Sequence, residues 1–303
     1  MAHAKSTHAV LAANIIGLEE IPLSLFCEVQ AHLQALIDAL NTICNSPNFD
    51  LMKALTILSG EEIRGVFAKS GGAYVTGRLL KIGFYPLLLR VGIGMDVSSL
   101  QVSGSLPALQ ESSATRRAHL ALKKLLNGDG SAGPYLVEEN LQRMFISNTL
   151  TQDIFSWEHE QTEAQREISL AYEVNNLLTW LCHDDTQVTG LATFIQLAQQ
   201  WRHRFISEQP LFDDVMRYAE RLPPQLRKAS LTPTAYGKQG LYSIQSPWPQ
   251  TSVSSLSWLT DTLRQEKSIT SQAVSQRRLA GHVDQITSLD AAWMILHFPD
   301  SES

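Results

Sequence analysis

Ser59-Gly-Glu-Glu62 separates two β-prone runs, Lys53–Leu58 and Ile63–Ala68, and this acidic hairpin constrains the fold more than any other segment. A connection that short leaves the two runs only antiparallel pairing. Upstream, Ala9-Val-Leu-Ala-Ala-Asn-Ile-Ile-Gly17 is an apolar run closed by glycine, which predicts a buried strand and a turn. Between them Ile21, Leu25, Val29, Leu33, Leu36, Ile37, Leu40 and Ile43 recur at helical spacing, with Pro22 at the start and Asn45-Ser-Pro-Asn at the end. After the hairpin, Ser70-Gly-Gly interrupts the chain before a helical segment, Tyr74–Ile82. A strand at Leu87–Val97 follows, then a helix at Ser112–Leu126 and a break at Asn127–Pro134. The order β-α-β-β-α-β-α predicts an α+β fold with a ferredoxin-like sheet.

The apolar first strand and the hairpin would lie side by side, as in the palms of enzymes that join or cyclise nucleotides. Such palms hold two divalent cations between carboxylates on adjacent strands, which activate the attacking hydroxyl and neutralise the triphosphate. Asn14 and Glu61 occupy those two places, with Gly60 and Glu62 beside them at the hairpin tip. Ile15-Ile16-Gly17 would offer backbone amides to phosphate, and Arg90 would reach phosphate or base. Mg²⁺ or Mn²⁺ is the cofactor expected if this face is active, with Glu61 as its ligand.

Four segments carry a family resemblance. Ala9–Gly17 resembles the "AVIGDIIGSR" opening of the SatD family, and Thr56-Ile-Leu-Ser-Gly-Glu-Glu-Ile-Arg-Gly65 its "TITLGDEFQG" segment. Leu89-Arg-Val-Gly-Ile-Gly94 is similar to "IRFGIGIG", and Ala114-Thr-Arg-Arg-Ala-His-Leu-Ala121 lies where that family has "PAFHRAREA". The resemblance implies a class III nucleotidyl-cyclase-like domain, a C-terminal helix-turn-helix and a homodimer. It also exposes departures. Asn14 replaces an aspartate, Glu61 replaces another with a longer arm, and Glu111-Ser-Ser stands where Asp-Gly is usual. A neutral amide is a poor ligand for a hard cation. The expectation is therefore a catalytically degenerate regulatory or binding protein that senses a nucleotide and contacts DNA. The alternatives are an active metal-dependent cyclase or nucleotidyltransferase, with Glu62, Glu19 or Asp96 as its second carboxylate, and a non-catalytic scaffold.

Four regions are expected: a cyclase-like domain over 1–130, a helical region over 135–222, a proline-punctuated linker over 223–256, and a possible helix-turn-helix over 257–303. Within the last, a first helix would end near Lys267. Ser271-Gln-Ala-Val-Ser-Gln-Arg-Arg-Leu279 is close to the "SQSAVSKRL" recognition helix of bacterial regulators. Ala273, Val274 and Leu279 would face the core. Ser271, Gln272, Ser275, Gln276, Arg277 and Arg278 would face DNA, where glutamine reads adenine and arginine reads guanine or phosphate.

A formal charge of −6 and a pI near 5.8 argue against a surface coated for nucleic acid, so any DNA contact must be locally basic. Cys27, Cys44 and Cys182 form no metal or disulfide pattern, and the first two are expected to be buried thiols. No apolar run reaches the roughly 18 residues of a membrane span, and the start lacks a secretory pattern. The expectation is a soluble cytoplasmic protein with no membrane contact. His183-Asp184-Asp185 resembles a phosphohydrolase pair but has only His159 and His203 within range, so a metal site is not expected there. Trp157, Trp180 and Trp201 read as core anchors.

Overall fold

The computed structural model describes residues 8–45, 51–58, 62–96, 112–127, 133–162, 165–166, 169, 185–207 and 271–297. Strand β1 (His8–Ile15) leads through a turn to helix α1 (Leu23–Cys44). Gly17 makes that turn with φ 62°, a left-handed conformation that glycine adopts without a Cβ penalty. Strands β2 (Leu51–Leu58) and β3 (Glu62–Phe67), helix α2 (Ser70–Phe84) and strand β4 (Leu89–Asp96) follow. Next come α3 (Ser113–Asn127), β5 (Tyr135–Val137), α4 (Leu141–Glu160) and α5 (Asp185–Ser207). Helices α6 (Ser271–Ala280) and α7 (Val283–His297) end the described chain.

The fold is α+β. One sheet runs β2-β3-β1-β4-β5, antiparallel throughout except for the parallel β4–β5 pair. Alternation along β1 divides its two faces. Ala9, Leu11, Ala13 and Ile15 join the main core with α1, α2 and α5, whereas Val10 and Ala12 pack with Val66 beneath Ala114, Ala118 and Leu122 of α3. All eight members of the predicted α1 stripe are buried. The main core also takes in Leu191, Phe194 and Trp201 of α5 and Trp293 of α7, so burial continues past the boundary expected near residue 130.

Both sheet edges are held by asparagine side chains. Asn41 of α1 donates to the Leu55 carbonyl (3.0 Å) and accepts from its amide (2.7 Å), beside an irregularity in the β2–β3 register. Asn148 of α4 does the same to Leu136 of β5, at 2.9 and 2.7 Å. Each carboxamide thus satisfies backbone groups that no described strand pairs.

Several expectations are corrected. Helix α2 begins at Ser70 and contains Gly71 and Gly72 rather than following them. Both glycines are buried, so close tertiary packing outweighs their low helix propensity. Cys27 is exposed because position 27 lies off the α1 stripe. Cys44 is buried 3.3 Å from Thr76 Oγ1, and burial pushes its thiol up to about 12. Trp201 is a core anchor, its indole N–H donating to the Phe84 carbonyl at 3.2 Å, while Trp157 is half-buried against the His282 ring. Trp180, Cys182, His183, Asp184 and the 223–256 segment lie outside the described residues.

His32 joins α1, α2 and α5: its ring stacks on Trp201 at 4.2 Å and its Nε2 contacts the Gly83 carbonyl at 2.9 Å. Burial drops its pKa from 6.5 to about 4, against the opposing pull of that carbonyl. A depressed histidine stabilises the fold while neutral, and that contribution fades as pH falls from 6.5 through about 4. At 1.36 kcal/mol per unit the loss is about 3 kcal/mol at most. Urea midpoints measured from pH 7 to pH 4 should fall over this window, with a flatter slope in His32→Phe.

Candidate functional site

The site follows from register. Asn14 lies directly opposite Glu62 on β3 and Arg90 on β4, and Ala12 opposite Arg64 and Gly92. Directly opposed residues share a face, so Asn14, Glu62, Arg64 and Arg90 all belong to the side covered by α3. Glu62 is the first residue of β3 rather than part of the turn, and it is the carboxylate beside Asn14. Gly60 and Glu61 lie outside the described residues.

Glu62 is already engaged. Arg64 reaches its Oε1 through Nη2 at 2.5 Å and Nε at 3.0 Å. His119 of α3 brings Nε2 within 3.2 Å of both carboxylate oxygens and within 3.2 Å of Arg64 Nη2. That nitrogen can donate to Glu62 or accept from Arg64, but not both at once. Among the described residues the corner thus sets one carboxylate and one neutral amide against two guanidiniums. Among the described residues its net charge is positive before His119 is counted. That donor set does not fit a pair of Mg²⁺ or Mn²⁺ ions, which need several anionic oxygens. Among the described residues no group of three or more histidines, cysteines and acids is placed to hold a metal.

The other proposed carboxylates are not there to help. Asp96 pairs with His8, at the opposite end of β1 and six positions from Asn14, roughly 20 Å along the strand. Glu19 is exposed in the short 3₁₀ turn after β1. The phosphate cradle is also altered, because the Ile16 amide donates to the Leu88 carbonyl at 2.9 Å. Asn14 Oδ1 is enclosed without a hydrogen-bond partner.

Helix α3 lies close on this face because β4 presents Gly92 and Gly94 to it. A Cβ at Gly94 would sit 2.0 Å from the Ala114 carbonyl oxygen, and one at Gly92 2.6 Å from that of Ala118. His119 did not emerge as a site residue from sequence, although its segment carried the family resemblance.

The expected DNA-facing residues fall on α6, whose backbone is helical from Ser271 to Ala280. Gln272 and Gln276 are exposed and one turn apart, which places them on one side of the helix. For Ser271, Ser275, Arg277 and Arg278 only the helical backbone is described. Leu279 is 57% exposed and not in the core as expected. Ala273 is half-buried, the side chain of Val274 lies outside the described residues, and the following helix buries Val283, Ile286 and Trp293. The helix expected to end near Lys267 lies outside the described residues. No described helix is long and apolar enough to cross a membrane. Comparison with protein-family models, with curated proteins and with solved structures gives no match.

Proposed function

We propose that this chain is a divergent, catalytically degenerate SatD-like protein of the cytoplasm. In this reading its ferredoxin-like, cyclase-like sheet binds or senses a nucleotide without turning it over. Helix α6 presents Gln272 and Gln276 to DNA. The single observation that carries the degenerate reading is the Asn14 corner, where the only described carboxylate is neutralised by Arg64 and approached by His119. The strand order and antiparallel pairing of β1–β4 support the cyclase-like scaffold. The exposed glutamine pair is the support for α6 as a contact helix.

Asn14→Asp tests the reading at its weakest ligand. Calorimetric titration with Mn²⁺ should give no binding to the native protein and measurable binding to the variant, because two opposed carboxylates are then restored. Equal, tight Mn²⁺ binding by both proteins would overturn the degenerate site.

A further inference from the structure

Helix α3 carries Arg116, Arg117, His119, Lys123 and Lys124 and no acid between Ser113 and Asn127, in a chain whose formal charge is −6. Its inner side is buried through Ala114, Ala118, Ala121, Leu122 and Leu125. At about 100° per residue, Arg116, Leu120, Lys123 and Lys124 share the opposite, outward arc, and all four are exposed. Arg117 lies off this arc, its guanidinium engaged by Asp96, Glu139 and the Met95 carbonyl. His119 sits at the edge of the arc and is committed to Glu62 and Arg64. Among the described residues no acid pairs with Arg116, Lys123 or Lys124.

Helix stability does not call for this arrangement. Acids near a helix start and oppositely charged pairs one turn apart favour a helix. Helix α3 has no acid in its first turn and sets Arg116 just beyond it, toward the positive end of the helix dipole. A surface of one sign, uncompensated by neighbours, attracts anions from outside. We propose that the outward arc of α3 is a sequence-independent contact for the phosphate backbone of duplex nucleic acid, made by Arg116, Lys123 and Lys124.

The chemistry of the arc selects this partner. From Arg116 to Lys124 it spans about 12 Å of helix axis at 1.5 Å per residue. Duplex DNA carries a phosphate charge about every 1.7 Å of its own axis, so several phosphates come within reach. Protein interfaces are depleted in lysine, whereas lysine serves phosphate as a point charge. The arc has no aromatic side chain on which an unpaired base could stack. Its apolar side is already packed on Val10, Ala12 and Val66, so α3 cannot lay that side into a membrane surface. The contact stands apart from the Asn14 corner and from α6. Helix α3 covers one face of the sheet, while α7, which follows α6, packs through Trp293 on Tyr74 of α2 across the sheet.

Fluorescence anisotropy of the full chain with labelled duplex DNA, over roughly 50–300 mM salt, tests the contact. The native protein should bind two duplexes of unrelated sequence alike, more weakly as salt rises. Arg116→Gln/Lys123→Gln/Lys124→Gln should flatten the slope of log K against log salt by about 3 and weaken low-salt binding by about tenfold or more. Lys124→Gln alone should flatten the slope by about 1, and Lys123→Arg/Lys124→Arg should keep it. These side chains are exposed, so urea midpoints should not fall. Gln272→Ala/Gln276→Ala should leave the α3 contribution to the slope intact, which separates this contact from the reading of α6. No low-salt binding by the native protein, a native slope in the triple and Lys124→Gln variants, or equal affinity for poly-L-glutamate of matched charge would each overturn the proposal. The last result would assign the arc to an acidic protein instead.

Discussion

Replacing Arg78 by Leu should destabilise the protein by about 3–5 kcal/mol, the usual loss when one partner of a buried ion pair is removed. Two carboxylates, Glu158 and Asp290, would remain in the interior without the guanidinium that bridges them. Lys81 would still approach Glu158, so the damage should concentrate at α7. Urea denaturation should show the loss, and hydrogen exchange should place it in 283–297 first. Neutralising both acids in the same chain, as Arg78→Leu/Glu158→Gln/Asp290→Asn, should recover much of the stability. A triple variant no better than Arg78→Leu alone would show that Arg78 acts through packing and not charge.

Gly94→Val should be the second large effect. The added Cβ would meet backbone atoms of α3, the Ala114 carbonyl oxygen at 2.0 Å and the Ala118 nitrogen at 2.3 Å. Backbone cannot rotate out of the way as a side chain can, so α3 must lift from the sheet. Overpacking of this kind costs about 3 kcal/mol or more at the upper end of its range. Lifting α3 would also uncover Val10, Ala12 and Val66 and withdraw His119 from Glu62. Gly92→Ala, with its nearest atom at 2.6 Å, should cost less. Denaturant midpoints for the two variants check both size and order; a fully stable Gly94→Val would mean that α3 is not packed this closely.

How far the sequence could be read depends on the physics of each element. Helix α1 was legible because burial and helical period coincide along eight positions. The pairing within the hairpin and the place of the first strand beside it followed from the short turn and the apolar run. The facing of Asn14 and Glu62 was legible from the apolar first strand and the hairpin beside it. Pairing brings Glu62, one of the two acids named at the hairpin, opposite Asn14, while Glu61 lies outside the described residues. The close seat of α3 left a trace that went unused: Gly92 and Gly94 share a sheet face, and Ala114 and Ala118 recur one helical turn apart. Strand β5 is too short to show a period. The Arg78 ion-pair cluster left no such trace, because its contacts join residues 80 and 212 positions apart and no local pattern links them. Leu279 was misjudged because apolar character on a short helix was equated with a core-facing position.

On the degenerate reading, the Asn14 corner does not support metal-dependent nucleotide chemistry. Incubation of the purified full chain with ATP or GTP and excess Mg²⁺ or Mn²⁺, with products resolved by chromatography, tests it most directly. The account predicts intact nucleotide, with no cyclic or transferred product above a protein-free control. Product that scales with protein concentration and disappears in Glu62→Gln would contradict it.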